Sequence, residues 1–205
     1  PFIVLLGKGD HQITSSWTGE YGNEFESILE ITHSNVTFVG QGKDTTTVIG
    51  GFRIYNVENI TFKNMTVTNT NTSNNAFTQF GHHGSGIDMG NAKVELIDVA
   101  LKKCEDAALY TSHYSTSKTS VVATRCEFAN STFGAVVEGR LSSATFKNCV
   151  FHDNTATGVF VCSKATLHLH GEATAIHSNG QDGILANNSG KVLIHLPSHH
   201  NTSYN

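Results

Sequence analysis

Basic clusters, long apolar runs and paired-cysteine motifs are all missing from this 205-residue chain, and proline is down to two residues. Without a run of Lys and Arg there is nothing to neutralise a row of phosphates, and a formal net charge of −4 with neutral histidines disfavours such a polymer. Nucleic acid is therefore not an expected partner. No apolar stretch nears the ~20 residues that a membrane-spanning helix requires, so no membrane span is expected. The opening PFIVLLGKGDH is too short for one, lacks a basic leader, and reads as a strand running into a glycine turn. The four cysteines, Cys104, Cys126, Cys149 and Cys162, show no CxxC spacing, which argues against a zinc knuckle or a thioredoxin-type centre. Nothing in the chain calls for a cofactor.

What is abundant points to strands. The chain has 19 glycines and is rich in Thr, Ser and Asn, residues that populate turns or compete with helical hydrogen bonds. With 38% hydrophobic and 15% charged residues it suits one all-β domain spanning residues 1–205. Seven Asn-x-Ser/Thr sequons begin at Asn35, Asn59, Asn64, Asn71, Asn130, Asn187 and Asn201. They favour a secreted or cell-surface glycoprotein, against the plain alternative that turn asparagines serve the backbone.

The chain repeats. GGFRIYN (50–56), SGIDMGN (85–91), DAALYTS (106–112), FGAVVEG (133–139), TGVFVCS (157–163) and DGILANN (182–188) each place a small residue before an apolar–any–apolar triplet. Taking Leu5, Leu29, Phe52, Ile87, Ala108, Ala135, Val159 and Ile184 as first positions, the spacing is 21 to 35 residues and mostly near 24. A second strand follows each triplet (NVTFVG, NITFKN, KVELID, SATFKN, KATLHL), and a third follows in the middle of the chain (NMTVTN, RCEFAN, NCVFHD). Three strands of about five residues cannot bury their own apolar face. Coiling solves this: each repeat becomes one turn, its strands pair in parallel with equivalents ~4.8 Å away, and inward side chains stack. Val159, Val161, Ala165 and Leu167 should then stack on Ala135, Val137, Ala144 and Phe146 of one neighbour, and on Ile184, Ala186, Val192 and Ile194 of the other. An antiparallel sandwich is the rival, but it needs hairpin turns, and only SNGQDG offers one.

The glycine-led triplets and the paired xxITFKNxxxxN strands resemble the parallel β-helix repeats of the right-handed pectin lyase-like superfamily. That resemblance implies a single-stranded right-handed parallel β-helix of about seven to eight rungs. It covers nearly the whole chain, and FIVLLGKGDHQI looks like the segment that opens such coils. Pro1 starts inside an apolar strand and PSHHNTSYN follows the last rung without a capping helix, so the chain reads as a fragment of a longer one. The superfamily holds polysaccharide lyases, hydrolases and epimerases as well as noncatalytic domains, and fold does not select among them. The polygalacturonase set of NTD, DD, GHG and RIK is missing, since GHHG at 81–84 carries an extra histidine and lacks its partners. The RxPxxR of pectate lyases and the DPH of mannuronan epimerases are missing too.

Function must sit on the outward face. The middle triplet position reads Glu30, Arg53, Asp88, Leu109, Val136, Phe160 and Leu185, and a second outward column reads Thr32, Tyr55, Gly90, Thr111, Glu138, Cys162 and Asn187. Glu30, Arg53 and Asp88 form an alternating charge ladder. As an enzyme site, Arg53 would bind a sugar acid while Asp88, His82 or His83 abstracts a proton; as structure, the ladder is a set of surface ion pairs, the reading the residues favour. Leu109, Val136, Phe160 and Leu185 make an apolar stripe, with Tyr55 nearby, that either binds something or lies beneath a loop, a subunit or a neighbouring domain. Two histidine pairs, His152 with His177 and His168 with His195, should stack on adjacent rungs and are weak metal candidates, because a closed site needs further ligands. Cys126 and Cys149 share one inward column as a thiol stack. The expected function is a noncatalytic rigid surface for a glycan or protein partner or for assembly; the alternative is a lyase or epimerase acting on uronic-acid polymers.

Overall fold

The computed structural model describes residues 1–18, 22, 24–71, 84–195 and 202–204, the last three by backbone only. Every described regular element is a β-strand, and all but two of the strands fall into three parallel stacks. The triplets build one stack of seven strands in chain order: Ile28–Ile31, Gly51–Tyr55, Ile87–Gly90, Ala107–Thr111, Phe133–Glu138, Val159–Cys162 and Ile184–Ala186. We call it the triplet sheet. The second sheet runs from Phe2–Leu5 and Val36–Val39 to Thr166–His170 and Lys191–His195; the third runs from Gly9–Gln12 and Thr46–Ile49 to Ala175–His177 and Thr202–Tyr204. Ile60–Thr68 and Lys93–Lys102 pass through both of these sheets, turning at a corner without losing pairing. Each repeat is one coil, and Val159 pairs with Ala135 on one side and Ile184 on the other.

The corners explain why the chain coils. Between the second and third sheets a single residue with positive φ occupies equivalent places on successive turns: Asn64 (55°), Asp98 (53°), Arg125 (55°), Asn148 (53°) and Gly171 (93°). A left-handed residue bends the strand sharply, and Asn, Asp and Gly adopt that conformation at least cost. A second such column, Lys103, Asn130, Asp153 and Ser178, turns the third sheet toward the next triplet. Asn35, Asn59, Asn64 and Asn130, all sequon asparagines, are among the positive-φ residues, so the backbone does use them.

Inside the coil, like side chains stack. Phe38 and Phe62 lie face to face at 5.0 Å, Phe128 and Phe151 at 4.7 Å, and Phe146 meets Phe151 edge-on at 5.0 Å. At the corner before the triplet sheet a polar column is buried as well, comprising Asn69, Ser131, Asn154 and Asn179 with Cys104. Asn154 Nδ2 donates to the Phe128 carbonyl, and Asn179 Nδ2 to that of Phe151, so each amide closes a carbonyl left open by the turn. All four cysteines are buried and free, and Cys126 and Cys149 are neighbouring thiols.

Two expected alignments are corrected. In Ala107–Thr111 the inward residue is Leu109, fully buried in the core and paired with Ile87 and Ala135, so it leaves the outward stripe and Tyr110 takes its place. Thr111 likewise turns inward, in register with Met89 and Val137. The tandem Ala107–Ala108 allows either register by pattern, but a one-residue slip exchanges faces, and Leu fills core volume that Ala108 alone does not. In the second sheet Leu167 lies on Ala144 and Val192, and Leu169 on Phe146 and Ile194. That is a shift of two from the expected stacking, which keeps every face but changes every neighbour. One small element departs from the parallel coil: Ser16–Thr18 and Glu24–Glu26 pair antiparallel, with Trp17 stacked on Phe25 at 5.4 Å.

Candidate functional site

On the outer face of the triplet sheet, Glu30, Arg53 and Asp88 are cross-strand neighbours, as their alternation required. Arg53 Nη1 donates to Asp88 Oδ2 at 3.2 Å, and Nε sits 3.6 Å from Glu30 Oε1, an ion-pair contact too long for a hydrogen bond. The pair is shielded, with side-chain exposures of 19% for Arg53 and 9% for Asp88. The guanidinium plane is also enclosed by aromatic rings, 4.0 Å from the Trp17 centroid and 3.9 Å from that of Tyr55. Tyr55 donates its hydroxyl to Asp88 Oδ1 at 2.7 Å. Its ring lies over Gly90, where a Cβ would come within 2.6 Å of the Tyr55 ring, so only glycine leaves room.

A second cluster adjoins the first. Tyr110 donates to Glu138 Oε2 at 3.1 Å, His113 Nδ1 stands 3.3 Å from the same oxygen and 3.4 Å from the Tyr110 hydroxyl, and Ser163 donates to Glu138 Oε1 at 3.2 Å. Burial, reinforced by Asp88 for Tyr55 and by Glu138 for Tyr110, pushes both phenols far above their ordinary range. Both hydroxyls therefore stay protonated and act as donors.

The apolar stripe continues from Tyr110 through Val136 and Phe160 to Leu185, each in register with the next. Tyr110 and Val136 are only 4% exposed although they point away from the core; with Ala107, Phe133 and Phe160 they form an apolar cluster separate from it. Phe160 and Leu185 are half-buried. The middle of the stripe is thus closed within this chain, and its far end is partly open.

These observations place most sequence candidates and add others. Arg53, Asp88 and Tyr55 come together; His82 and His83 lie outside the described residues. Trp17, Tyr110 and His113 are additions to which the repeat pattern does not point. Trp17 is the chain's single tryptophan, set in a polar stretch between two repeats, and that isolation was the available signal. His113 sits in the polar insert HYSTSKT, where nothing in the pattern indicated that it would fold back on Glu138.

Residues 23–202 match the family described as right handed beta helix region. The chain belongs to that family. Its parallel coil is therefore a right-handed β-helix, as the resemblance implied. Among solved structures, the A-module of mannuronan C-5 epimerase AlgE4 from Azotobacter vinelandii is similar at 16% identity, covering 95% of this chain and 67% of that one, with a TM-score of 0.44. ORF18 of Geobacillus virus E2 is similar at 11% identity over 99% of this chain and 51% of its own, also at 0.44; this chain thus spans about half of the viral one. The AlgE6 A-module of the same bacterium shows 12% identity over 99% of this chain and 89% of its own, with a TM-score of 0.25. No curated protein matches. The family match alone carries the assignment, and it speaks to fold.

The histidines form two further groups. His152 and His177 stack at 5.3 Å, and both His152 nitrogens are engaged, Nδ1 with Asp153 Oδ2 at 2.7 Å and Nε2 with Glu127 Oε1 at 3.2 Å. His168 and His195 also stack, at 5.4 Å. The register partner of His195, however, is His170, not His168 as expected; this is the two-residue shift again. Among the described residues, His168, His170 and His195 are the group whose ligand atoms all lie within 4.8 Å of one another.

Proposed function

We propose that this chain is a noncatalytic β-helix module whose triplet-sheet face is a rigid binding surface for a neutral glycan or a protein, in a secreted or cell-surface setting. The observation that carries this is the state of Arg53. Its guanidinium is stacked between Trp17 and Tyr55 and faces Glu30 and Asp88. So placed, the charge of Arg53 is opposed by two carboxylates and its plane is covered by two rings, while its buried Nε has no hydrogen-bond acceptor. Glu30 and Asp88 beside it, and Glu138 in the adjoining cluster, give this face a formal excess of negative charge that disfavours a polyanion. The half-buried Phe160 and Leu185 at the open end, beside Ser163 and Glu138, offer an apolar surface with hydrogen-bonding groups at its margin.

One observation supports the second reading, a lyase or epimerase of uronic-acid polymers: Tyr110, His113 and Glu138 lie within hydrogen-bond reach of one another, a set suited to proton transfer. That reading requires Arg53 to exchange Asp88 for a substrate carboxylate.

The test is to incubate the protein with alginate and pectate, following unsaturated ends by ultraviolet absorbance and C5 configuration by NMR. A parallel screen measures retention on neutral and acidic glycans. No turnover is expected, and any neutral-glycan binding should weaken in Phe160→Ala and Leu185→Ala. Turnover that is lost in His113→Ala and in a folded Arg53→Ala would replace the first reading with the second.

A further inference from the structure

We infer that His168, His170 and His195 form a binding site for one divalent transition-metal ion of the zinc or copper class, on the outer face of the second sheet. In Thr166–His170 the leucines at 167 and 169 turn into the core, so His168 and His170 both point outward. The parallel neighbour Lys191–His195 places His195 directly opposite His170. Two alternate residues on one strand and a third on the next make a triangle of imidazoles. His168 Nδ1 and His195 Nε2 are 3.1 Å apart, and ring centroids are separated by 4.4 Å for His170 with His195 and 6.1 Å for His168 with His170.

Three nitrogens bound to zinc at ~2.0–2.1 Å in tetrahedral array lie about 3.3 Å apart. The observed ligand atoms, all within 4.8 Å of one another, need only a modest rotation to reach this. The rings are now nearly parallel, at 7° to 14°, so they must turn until their lone pairs converge. The χ2 torsion of histidine is broad and permits the turn, and the side chains, two half-buried and one exposed, have room for it. Imidazole donors suit Zn²⁺ and Cu²⁺, and three ligands leave a position for water.

Ligation also needs unprotonated nitrogen. Lys147, the register partner of His170 on the preceding turn, carries a like charge that disfavours a cation. The other residues of these three strands that point the same way are Ser143, Thr145, Thr166, Lys191 and Leu193, none of them an acid.

The experiment is calorimetric titration of the whole chain with Zn²⁺ alone, in wild type and in His168→Ala, His170→Ala, His195→Ala and His152→Ala, with circular dichroism to verify folding. One ion per chain is expected. Since losing even a group that merely supports a ligand costs roughly 10–100-fold, each variant of the triad should bind at least about tenfold more weakly, while His152→Ala should match wild type. Lys147→Ala should bind more tightly. NMR should show Zn²⁺ moving the Cε1–H signals of His168, His170 and His195 and leaving that of His152 in place. No binding, binding undiminished in His170→Ala and His195→Ala, or equal loss in His152→Ala would each overturn the site.

Discussion

Asn154 Nδ2 donates to Asn179 Oδ1 at 2.9 Å across two turns of the coil, and that oxygen also accepts the Asn154 backbone N–H at 3.2 Å. The same motif recurs one turn earlier, where Ser131 N–H donates to Asn154 Oδ1. Removing one amide therefore strands groups on two rungs. Each buried group left without a partner costs about 1–3 kcal/mol, so Asn154→Ala, which orphans the Phe128 carbonyl and the Ser131 N–H, should lower stability by about 3 kcal/mol in urea unfolding. Asn59→Gly, which keeps the left-handed turn and loses only an exposed contact to Asn35, should stay within about 0.5 kcal/mol of wild type. Equal effects in the two variants would refute the ladder's role.

Leu109 and Tyr110 test the register of the fourth triplet strand. With Leu109 in the core, Leu109→Ala should cost about 2–5 kcal/mol. Tyr110→Phe keeps the ring in its outer cluster and removes the hydroxyl's hydrogen bond to Glu138, which retains Ser163, with its long contact to His113, so it should cost about 1 kcal/mol. The reverse ranking would restore Leu109 to the outer stripe.

How much of this was legible in the sequence follows from what each pattern encodes. A period near 24 with small residues before apolar triplets was enough for the parallel coil, and opposite charges at equivalent places were enough for Glu30, Arg53 and Asp88. Alternation reports only which face a residue takes. A slip of two is silent in it, so alternation alone matches His195 to His168 and does not point to His170 of the same HLH run. Aligning on corner residues instead, with Gly171 beside Asn148 and Arg125, would have set the register. Trp17 over Arg53 is a contact between an antiparallel excursion and the coil, and no periodicity carries information about it.

The cysteines should be inert in the native protein. Burial pushes the Cys104 and Cys162 thiols up to about 11 and holds Cys149 higher still; the hydrogen bond with Cys149 instead lowers Cys126, whose protection is its burial. The thiolate is the reactive form. At pH 8 a chromogenic disulfide reagent should label none of the four rapidly, and all four once urea unfolds the chain. A fast native label on Cys162 would show that the outer face is more open than its burial implies.

Arg125 and Asp98, consecutive members of one corner column, make a bidentate pair at 2.8 and 2.6 Å. Those hydrogen bonds, with the Arg125 and Lys43 charges behind them and slight burial opposing, hold the Asp98 carboxyl below the ordinary carboxylate range. A carboxyl depressed on folding adds stability that is present above its unfolded pKa and lost as pH falls through its folded value. The pair should therefore act at neutral pH and fade only in acid. In an NMR titration Arg125→Ala should raise the Asp98 midpoint, and added salt should do so in part. An unmoved midpoint would mean that the pair is only occasionally formed.

Arg53 offers the most direct test of the outer face, because Trp17, which it covers, is the chain's single tryptophan and gives the contact its own emission signal. Arg53→Lys keeps a charge opposite Asp88 but loses the plane that covers Trp17 on one side and Tyr55 on the other. A cation over an aromatic ring contributes about 0.5–1 kcal/mol when exposed and about 2 when desolvated, so two partly shielded contacts imply a loss of about 1–3 kcal/mol. Arg53→Met goes further. It leaves the buried Asp88 without its cation, a change that costs about 3–5 kcal/mol when no other group compensates; the Tyr55 hydroxyl compensates in part, placing the loss near the lower value. Both variants should change native Trp17 emission, and Arg53→Met should unfold at lower urea than Arg53→Lys. If emission is unchanged and the two are as stable as wild type, Arg53 is free at the surface, its charge is available to an acidic ligand, and the case against a polyuronate loses its foundation.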